Sequence, residues 1–539
     1  MASGQGFVDV GAPRSLGDRI FCLCKRIAPD NPEGRGFVYV CASRGTTTIY
    51  VSLFASVALN AFALSVSNCD GEIFDGAIKA SSLVSSLGVV EGVLNAILSP
   101  FLGSIADLTP HRKPGIGLTI TLFLVLNVVQ ALLFLSEDSD KLDPDDDTGT
   151  EYLRRPLWQS DVALMILCII IIIQVVSYEI AALLTQSYSS ELSRDDLEVT
   201  RFVGLGYTML NSMQLFLAVV VTAISFAADL GSLQQGTVGG FIAFAIALTW
   251  FLPGYRMLGS RTTVNKEFDR TCCGLKHVWT TVKEIFTQYT QLALFLVSWV
   301  LGSAAVSSIA VLSTSYLQFH LGYDGTLTSA VLALALLFSV PGSLIAHYLT
   351  RWYSLKAIYI MVLIIYGISF IVGPALLVAE SVPVNDVNST ITKTQYGFCD
   401  TVILGDSDET QQETESYILY VLIVITIIWG LGLGSLYVIS NSLFAALIPG
   451  GKESSYFGIK VLFAKLLTWL PSLLFTTINE KFDNLRWAIV PLGPLFLLAA
   501  VVAFFIDFDK GKADIHDTLH RRRGVQWEQD GIEEGSLKA

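Results

Sequence analysis

Residues 99–114 read SPFLGSIADLTPHRKP, and an apolar run enters this stretch while another leaves directly after it. A small residue near a helix end (Gly103), an acid one turn later (Asp107), a proline break (Pro110) and a basic pair (Arg112, Lys113) suit two membrane helices that cross closely at one surface. Arg112 and Lys113 then face anionic lipid head groups. The expected element is a short cytoplasmic hairpin between two spans, and the rest of the chain is read outward from it.

The composition sets the class. Of 539 residues, 52% are hydrophobic and 15% charged, against the roughly 25% charged of soluble domains. Mean hydropathy is +0.58. These values predict an all-α polytopic membrane protein. The formal charge of −13 is concentrated in acidic loops, so it says little about partners, and a nucleic-acid partner is not expected. The eight cysteines show no metal-ligand spacing, so no metal site is expected. Cys69 and Cys399 alone fall in expected extracytoplasmic loops, which leaves one bridge there open.

A spanning helix needs about 20 mostly apolar residues. Twelve such runs lie near 47–66, 81–105, 115–135, 162–184, 205–226, 236–252, 291–313, 326–349, 355–378, 417–447, 456–478 and 487–506. A basic connection separates the sixth from the seventh. The expected organisation is therefore a cytoplasmic N-terminal segment (1–46), a six-helix half (47–255), a cytoplasmic linker (256–290), a second six-helix half (291–506) and a cytoplasmic tail (507–539). Of the 34 Lys and Arg residues, 25 fall on the two ends and the even-numbered connections and 7 on the odd-numbered ones, which places both termini in the cytoplasm. The sequon Asn388-Ser389-Thr390 lies in the acidic loop of the opposite face, so Asn388 is the expected glycosylation site.

Three stretches carry a resemblance to a known family. Gly103, Asp107, Arg112 and Lys113 match the signature loop of major facilitator transporters, with Pro110 and His111 in place of its glycine turn. The second stretch is TQSYSSEL at 185–192 followed by GLGY at 204–207. The third contains YFGIKVLFAK at 456–465 with Trp469, Pro471, Leu473, Leu474 and Phe475. Together they resemble the autophagy-related vacuolar amino-acid effluxers within the major facilitator superfamily. The resemblance implies the twelve-helix, two-half facilitator fold and export of amino acids from a vacuolar or lysosomal lumen. In that fold the second and eleventh helices meet across the halves, and the first, fourth, seventh and tenth line the cavity.

Ionisable side chains within spans cost roughly 2.5 to 3.5 kcal/mol each on insertion scales, so they mark function by default. Glu91 and Lys465 lie about ten residues into oppositely running spans, at matching depth, and are expected to pair across the halves. Glu179 and Lys460 are read as snorkelling to the interface. With Gly103, Asp107 and Arg112 as the inner gate, the candidate cavity residues are Asn60, Gln174, Trp299, Trp429, Tyr437 and Asn441. No phosphate-binding GxxxxGK[ST] loop occurs, and no enzyme site or cofactor is expected. A gradient, with protons through Glu91, is the expected energy source. Three readings stay open: amino-acid transport, transport of another small solute (sugar, organic anion or pterin-like compound), and a non-transporting receptor or scaffold. A tag placed within 379–416 is expected to be labelled only from the lumenal or external side; labelling from the cytosol inverts the orientation.

Overall fold

The computed structural model describes residues 31–68, 71–108, 112–137, 155–156, 160–189, 196–259, 272–321, 323–376, 410–448, 453–482, 485–511 and 513. Among them, eleven helices are long and apolar enough to cross a membrane: Pro32–Val66, Ala80–Leu98, Lys113–Leu133, Asp161–Thr185, Leu205–Ala228, Ser232–Met257, Thr290–His320, Gly325–Ala346, Leu355–Leu376, Tyr417–Ala446 and Gly458–Lys481. The apolar helix Leu492–Phe504 stands in the twelfth position. They are called spans 1 to 12 in chain order.

Span 1 starts well before residue 47. The Asn31 side chain caps it, its Oδ1 accepting from the Gly34 amide at 2.9 Å, with Pro32 in the first turn and Glu33 beside it. This early turn carries Gly34, Gly36 and Gly45, whose lack of a side chain lets Phe202, Met257 and Leu210 approach the backbone. Arg44 is thereby drawn into the bundle. Further along, residues Tyr50–Ala55 form a π-helical segment, and a second one, Tyr316–His320, closes span 7. The two segments occupy the leading helix of each half.

Spans 8 and 10 are packed by glycine. A Cβ on Gly434 would overlap the Ser339 carbonyl, one on Gly342 the Leu431 backbone, and one on Gly430 the Ala335 carbonyl. Ser435 Oγ donates to the Gly342 carbonyl at 2.8 Å across the same seam. The Gly430 to Gly434 run serves close helix contact, and the helix Thr410–Ala446 continues through it.

The two faces of the bundle differ. At one, the connection between spans 1 and 2 forms the antiparallel pair Glu72–Ile73 and Ile78–Lys79, its turn taking positive φ at Phe74, Asp75 and Gly76. This is the hairpin face. At the other, the linker helix Cys272–Gln288 packs against the helix of span 2. This is the linker face. One core at the hairpin face mixes both halves, since Phe54, Phe62 and Phe134 share it with Phe319 and Leu332. The first-half core toward the linker face, with Phe37, Tyr39, Ile116, Phe202 and Phe251, contains no residue of the second half.

Polar contacts repeat this asymmetry. At the hairpin face Asn60 Nδ2 donates to Gln318 Oε1 at 2.7 Å, and the Gln235 amide meets Thr326 Oγ1 at 2.6 Å and Ser329 Oγ at 3.0 Å. Asn479 Nδ2 donates to Ser81 Oγ at 2.7 Å and Ser82 Oγ at 2.6 Å, while Ser85 and Thr476 hydroxyls lie 2.8 Å apart. The halves are fastened at the hairpin face. Gly434→Val is expected to destabilise the fold by about 1 to 3 kcal/mol through overpacking, read as a lower unfolding midpoint in detergent; an unchanged midpoint would show that spans 8 and 10 separate at no cost.

Candidate functional site

Span 11 is broken at Lys465. One helix runs Glu453–Lys465 and the next Trp469–Phe482, with a turn over residues 466–468 between them. Pro471 explains the break: it has no N–H, and its ring clashes with the carbonyl four residues earlier in a regular helix. The chain tightens instead to three-residue bonds, Leu470 N to Leu467 O at 3.0 Å and Leu466 N to Phe463 O at 3.2 Å. The freed carbonyls are met locally, Lys465 O by Thr468 Oγ1 at 3.1 Å and Leu466 O by Trp469 Nε1 at 3.0 Å. The single run expected over 456–478 is two helices.

Span 2 lies directly on this break. A Cβ on Gly92 would come within 2.6 Å of the Trp469 backbone nitrogen, and one on Gly88 within 2.8 Å of Ser472 Oγ. The Gly88 and Gly92 spacing is the small-residue pattern of tight membrane-helix contact. Glu91, next to Gly92, is thereby brought to the junction.

Lys465 takes a different partner from the one expected. Its Nζ lies 2.6 Å from Glu179 Oε1 of span 4, so the ion pair that crosses the two halves is Glu179 with Lys465. Glu91 lies within electrostatic range of both members. The depth argument matched Glu91 with Lys465 and set Glu179 at the interface; in the structure Glu179 does not snorkel but takes Lys465, the partner being set by which face of each helix points inward. The pair is incompletely buried, with 26% of the Lys465 side chain and 15% of the Glu179 side chain accessible. Tyr178, Tyr207 and Tyr437 complete the layer. Tyr178 and Tyr437 lie within electrostatic range of Lys465, and Tyr207 is near both Tyr437 and Arg44. Tyr207 and Tyr437 keep 41% and 45% of their surface accessible.

The other expected cavity residues disperse. Tyr437 stays in this layer, and Trp299 stands behind it with ring centroids 6.3 Å apart. Asn441 accepts a 2.6 Å bond from Lys460 Nζ, whose ammonium sits 4.7 Å from the Trp299 ring and 5.2 Å from that of Phe444. Lys460 is buried among rings, a cation–π setting, and does not snorkel. Asn60 belongs to the hairpin-face fastening, and Gln174 bonds Asn127 within the first half at 3.4 Å. Trp429 stacks on Phe370 with centroids 4.2 Å apart, lining an apolar cavity of about 50 Å³ within the second half. The side chains of Gly103, Asp107 and Arg112 lie outside the described residues, as does Asn388. Arg44 and Tyr178 were missed. The Asn31, Pro32, Glu33 capping pattern was the available signal for Arg44, since it extends span 1 past it.

The comparisons with known proteins agree with this architecture. The profile of the Major Facilitator Superfamily matches residues 37–400, most of the 539. The chain belongs to the Major Facilitator Superfamily. The profile described as vacuole effluxer Atg22 like matches residues 403–516. Autophagy-related protein 22-1 of Aspergillus niger is 22% identical over 344 residues, 61% of this chain and 51% of its own length. Autophagy-related protein 22 of Botryotinia fuckeliana is 25% identical over 340 residues, 60% of this chain and 52% of its own. The facilitator chain thus spans about half the length of these curated relatives. Among solved structures, a D-xylose-proton symporter superposes with a TM-score of 0.57 at 14% identity, covering 88% of this chain and 99% of that one. The inward-open xylose transporter XylE from E. coli gives 0.57 at 14% identity, covering 87% and 95%.

The ion pair has a measurable signature. Glu179→Gln and Lys465→Met are each expected to lower the unfolding midpoint, because each strands the opposite charge at a low-dielectric boundary. The double variant should recover part of the loss, with a coupling of about 1 to 3 kcal/mol in the cycle. The Glu91→Gln and Lys465→Met cycle should give a smaller coupling. Additive effects of Glu179 and Lys465 would dissolve the bridge.

Proposed function

We propose that this facilitator is a secondary transporter that moves amino acids from a vacuolar or lysosomal lumen to the cytoplasm by alternating access, with protons as the coupling ion. The observation that carries the reading is the Glu179 and Lys465 bridge at the break of span 11, with Glu91 beside it. A broken helix at membrane depth is tolerated only where its backbone is protected or faces a cavity, and in transporters such breaks gather near the substrate. Three charged groups in one accessible layer serve no scaffold, because each raises the cost of insertion.

Glu91 is the proton carrier in this scheme. It has no basic partner of its own, Lys465 being committed to Glu179 at 2.6 Å. Protonation of Glu91 removes a like charge beside Glu179 and strengthens the bridge; deprotonation weakens it by offering Lys465 a second acid. The protonation state of Glu91 thereby biases whether the halves stay together at this depth. Efflux from a vacuole is favoured by the match to the vacuole-effluxer profile over the segment that carries Lys465, and the amino-acid substrate is what the resemblance of residues 456–475 implies. Cytoplasmic placement of both ends rests on the basic residues, and a lumenal Asn388 on the same asymmetry.

Purified protein in proteoliposomes is expected to take up labelled amino acids, faster with a pH gradient directed the same way. Glu91→Gln should leave exchange of substrate for substrate intact while abolishing the response to the gradient. Absence of uptake across the whole amino-acid panel would overturn the amino-acid reading.

A further inference from the structure

We infer that Arg44, on the buried side of span 1, holds the carboxylate of the transported solute. The inference rests on the transporter reading above and adds a site to it.

The three cations inside the bundle are provided for unequally. Lys465 has Glu179 at 2.6 Å. Lys460 has the Asn441 carbonyl oxygen at 2.6 Å and the faces of Trp299, Phe295 and Phe444. Among the described residues, Arg44, 5% exposed, has the Tyr178 hydroxyl, 3.4 Å from Nη2, and the Tyr178 ring face 5.3 Å from its Cζ, and no other hydrogen-bond partner. Its Nε is fully buried and makes no hydrogen bond. The titratable groups acting on it are Tyr178 of span 4, Cys41 of its own helix and Tyr207 of span 5, and no carboxylate is among them.

A guanidinium carries five N–H donors in a planar fork and stays charged at any physiological pH. Leaving it buried with one long hydrogen bond is costly unless an anion reaches it in some state of the protein. The fork fits the two oxygens of a carboxylate side by side, which gives both strength and orientation. Tyr207, which lies within electrostatic range of Arg44, keeps 41% of its surface accessible.

The charges of this layer leave a complementary pair over. Glu179 and Lys465 neutralise each other, which leaves Glu91 as an acid without its own cation and Arg44 as a cation without an acid. Glu91 and Arg44 stand on different helices, spans 2 and 1, outside electrostatic range of each other. A solute carboxylate supplies the anion that Arg44 lacks, and the amide of the same solute does not.

The test uses the full chain in detergent and in proteoliposomes, with the twenty amino acids, their C-terminal amides and propionate as probes. Ligand binding to the folded state raises the unfolding midpoint. Wild type is expected to be stabilised by propionate and by at least one amino acid, and at least tenfold more weakly by the matching amide. Arg44→Gln should raise the half-saturating concentration of the acid about tenfold or more and leave that of the amide unchanged. Arg44→Lys keeps the charge but loses the fork, and should show an intermediate loss. The unliganded midpoint of Arg44→Gln should equal or exceed that of wild type, because a stranded charge has been removed; a purely structural arginine would lower it. Equal affinity of wild type for acid and amide, or unaltered acid affinity in both variants, overturns the carboxylate site while uptake keeps the transporter reading standing. Uptake of none of the compounds overturns transport itself, and the lack of a propionate shift overturns the Arg44 site independently of it.

Discussion

A charge inside a bilayer-spanning bundle has no water to solvate it, and the middle of this protein is arranged around that constraint. Each buried cation meets it differently. Lys465 is neutralised by an acid from the other half of the molecule, Lys460 is wrapped in aromatic faces with one amide oxygen, and Arg44 has a tyrosine alone. The first two arrangements are complete in the conformation observed. The third leaves the Arg44 Nε buried without a hydrogen bond.

The energetic character of the two faces suits a molecule that must open one and close the other. The hairpin face is joined by neutral amides and hydroxyls, among them Asn60 with Gln318 and Asn479 with Ser81 and Ser82. Such bonds are worth about 0.5 to 1.5 kcal/mol each after water is given up, so water entering an opened face replaces them at little net loss. The ion pair at mid-depth is less easily exchanged, since separating it leaves two charges exposed to a poor solvent. It therefore acts as the tie whose state matters, and a neighbouring acid such as Glu91 has leverage over it that a neutral residue would lack.

The geometry that makes the tie possible comes from small residues and one proline. Pro471 breaks span 11 immediately after Lys465, and Gly88 and Gly92 let span 2 lie on the break. Without the glycines, span 2 would stand farther off and Glu91 with it. The π-helical segments Tyr50–Ala55 and Tyr316–His320 add a matched irregularity to the leading helix of each half, where Gln318 reaches back to Asn60 and the Val57 carbonyl. Irregular turns of this kind recur at functional positions in helices, because the extra residue redirects side chains without ending the helix.

Hydropathy over windows of about 20 residues determined the class of this protein, the spans and most of their bounds, because a bilayer demands a local, linear property of the chain. The family was legible as a resemblance carried by residues 99–114, 185–207 and 456–475, and the last of these segments stood out as a pattern although Pro471 was not read as a break. The start of span 1 was also written in the sequence, in the Asn31 and Pro32 cap, but glycines and Arg44 lowered its hydropathy and hid it. What only the tertiary structure decided is which buried charges meet. Depth along a span can be counted from its ends, and it put Glu91 and Lys465 near one layer but Glu179 toward the interface. Partner choice depends on the rotation of each helix about its axis, where one residue turns the side chain by about 100 degrees, and on which helices touch. Those are properties of packing, so Glu179 rather than Glu91 faces Lys465, and Arg44 turns inward to a site that no linear pattern marks.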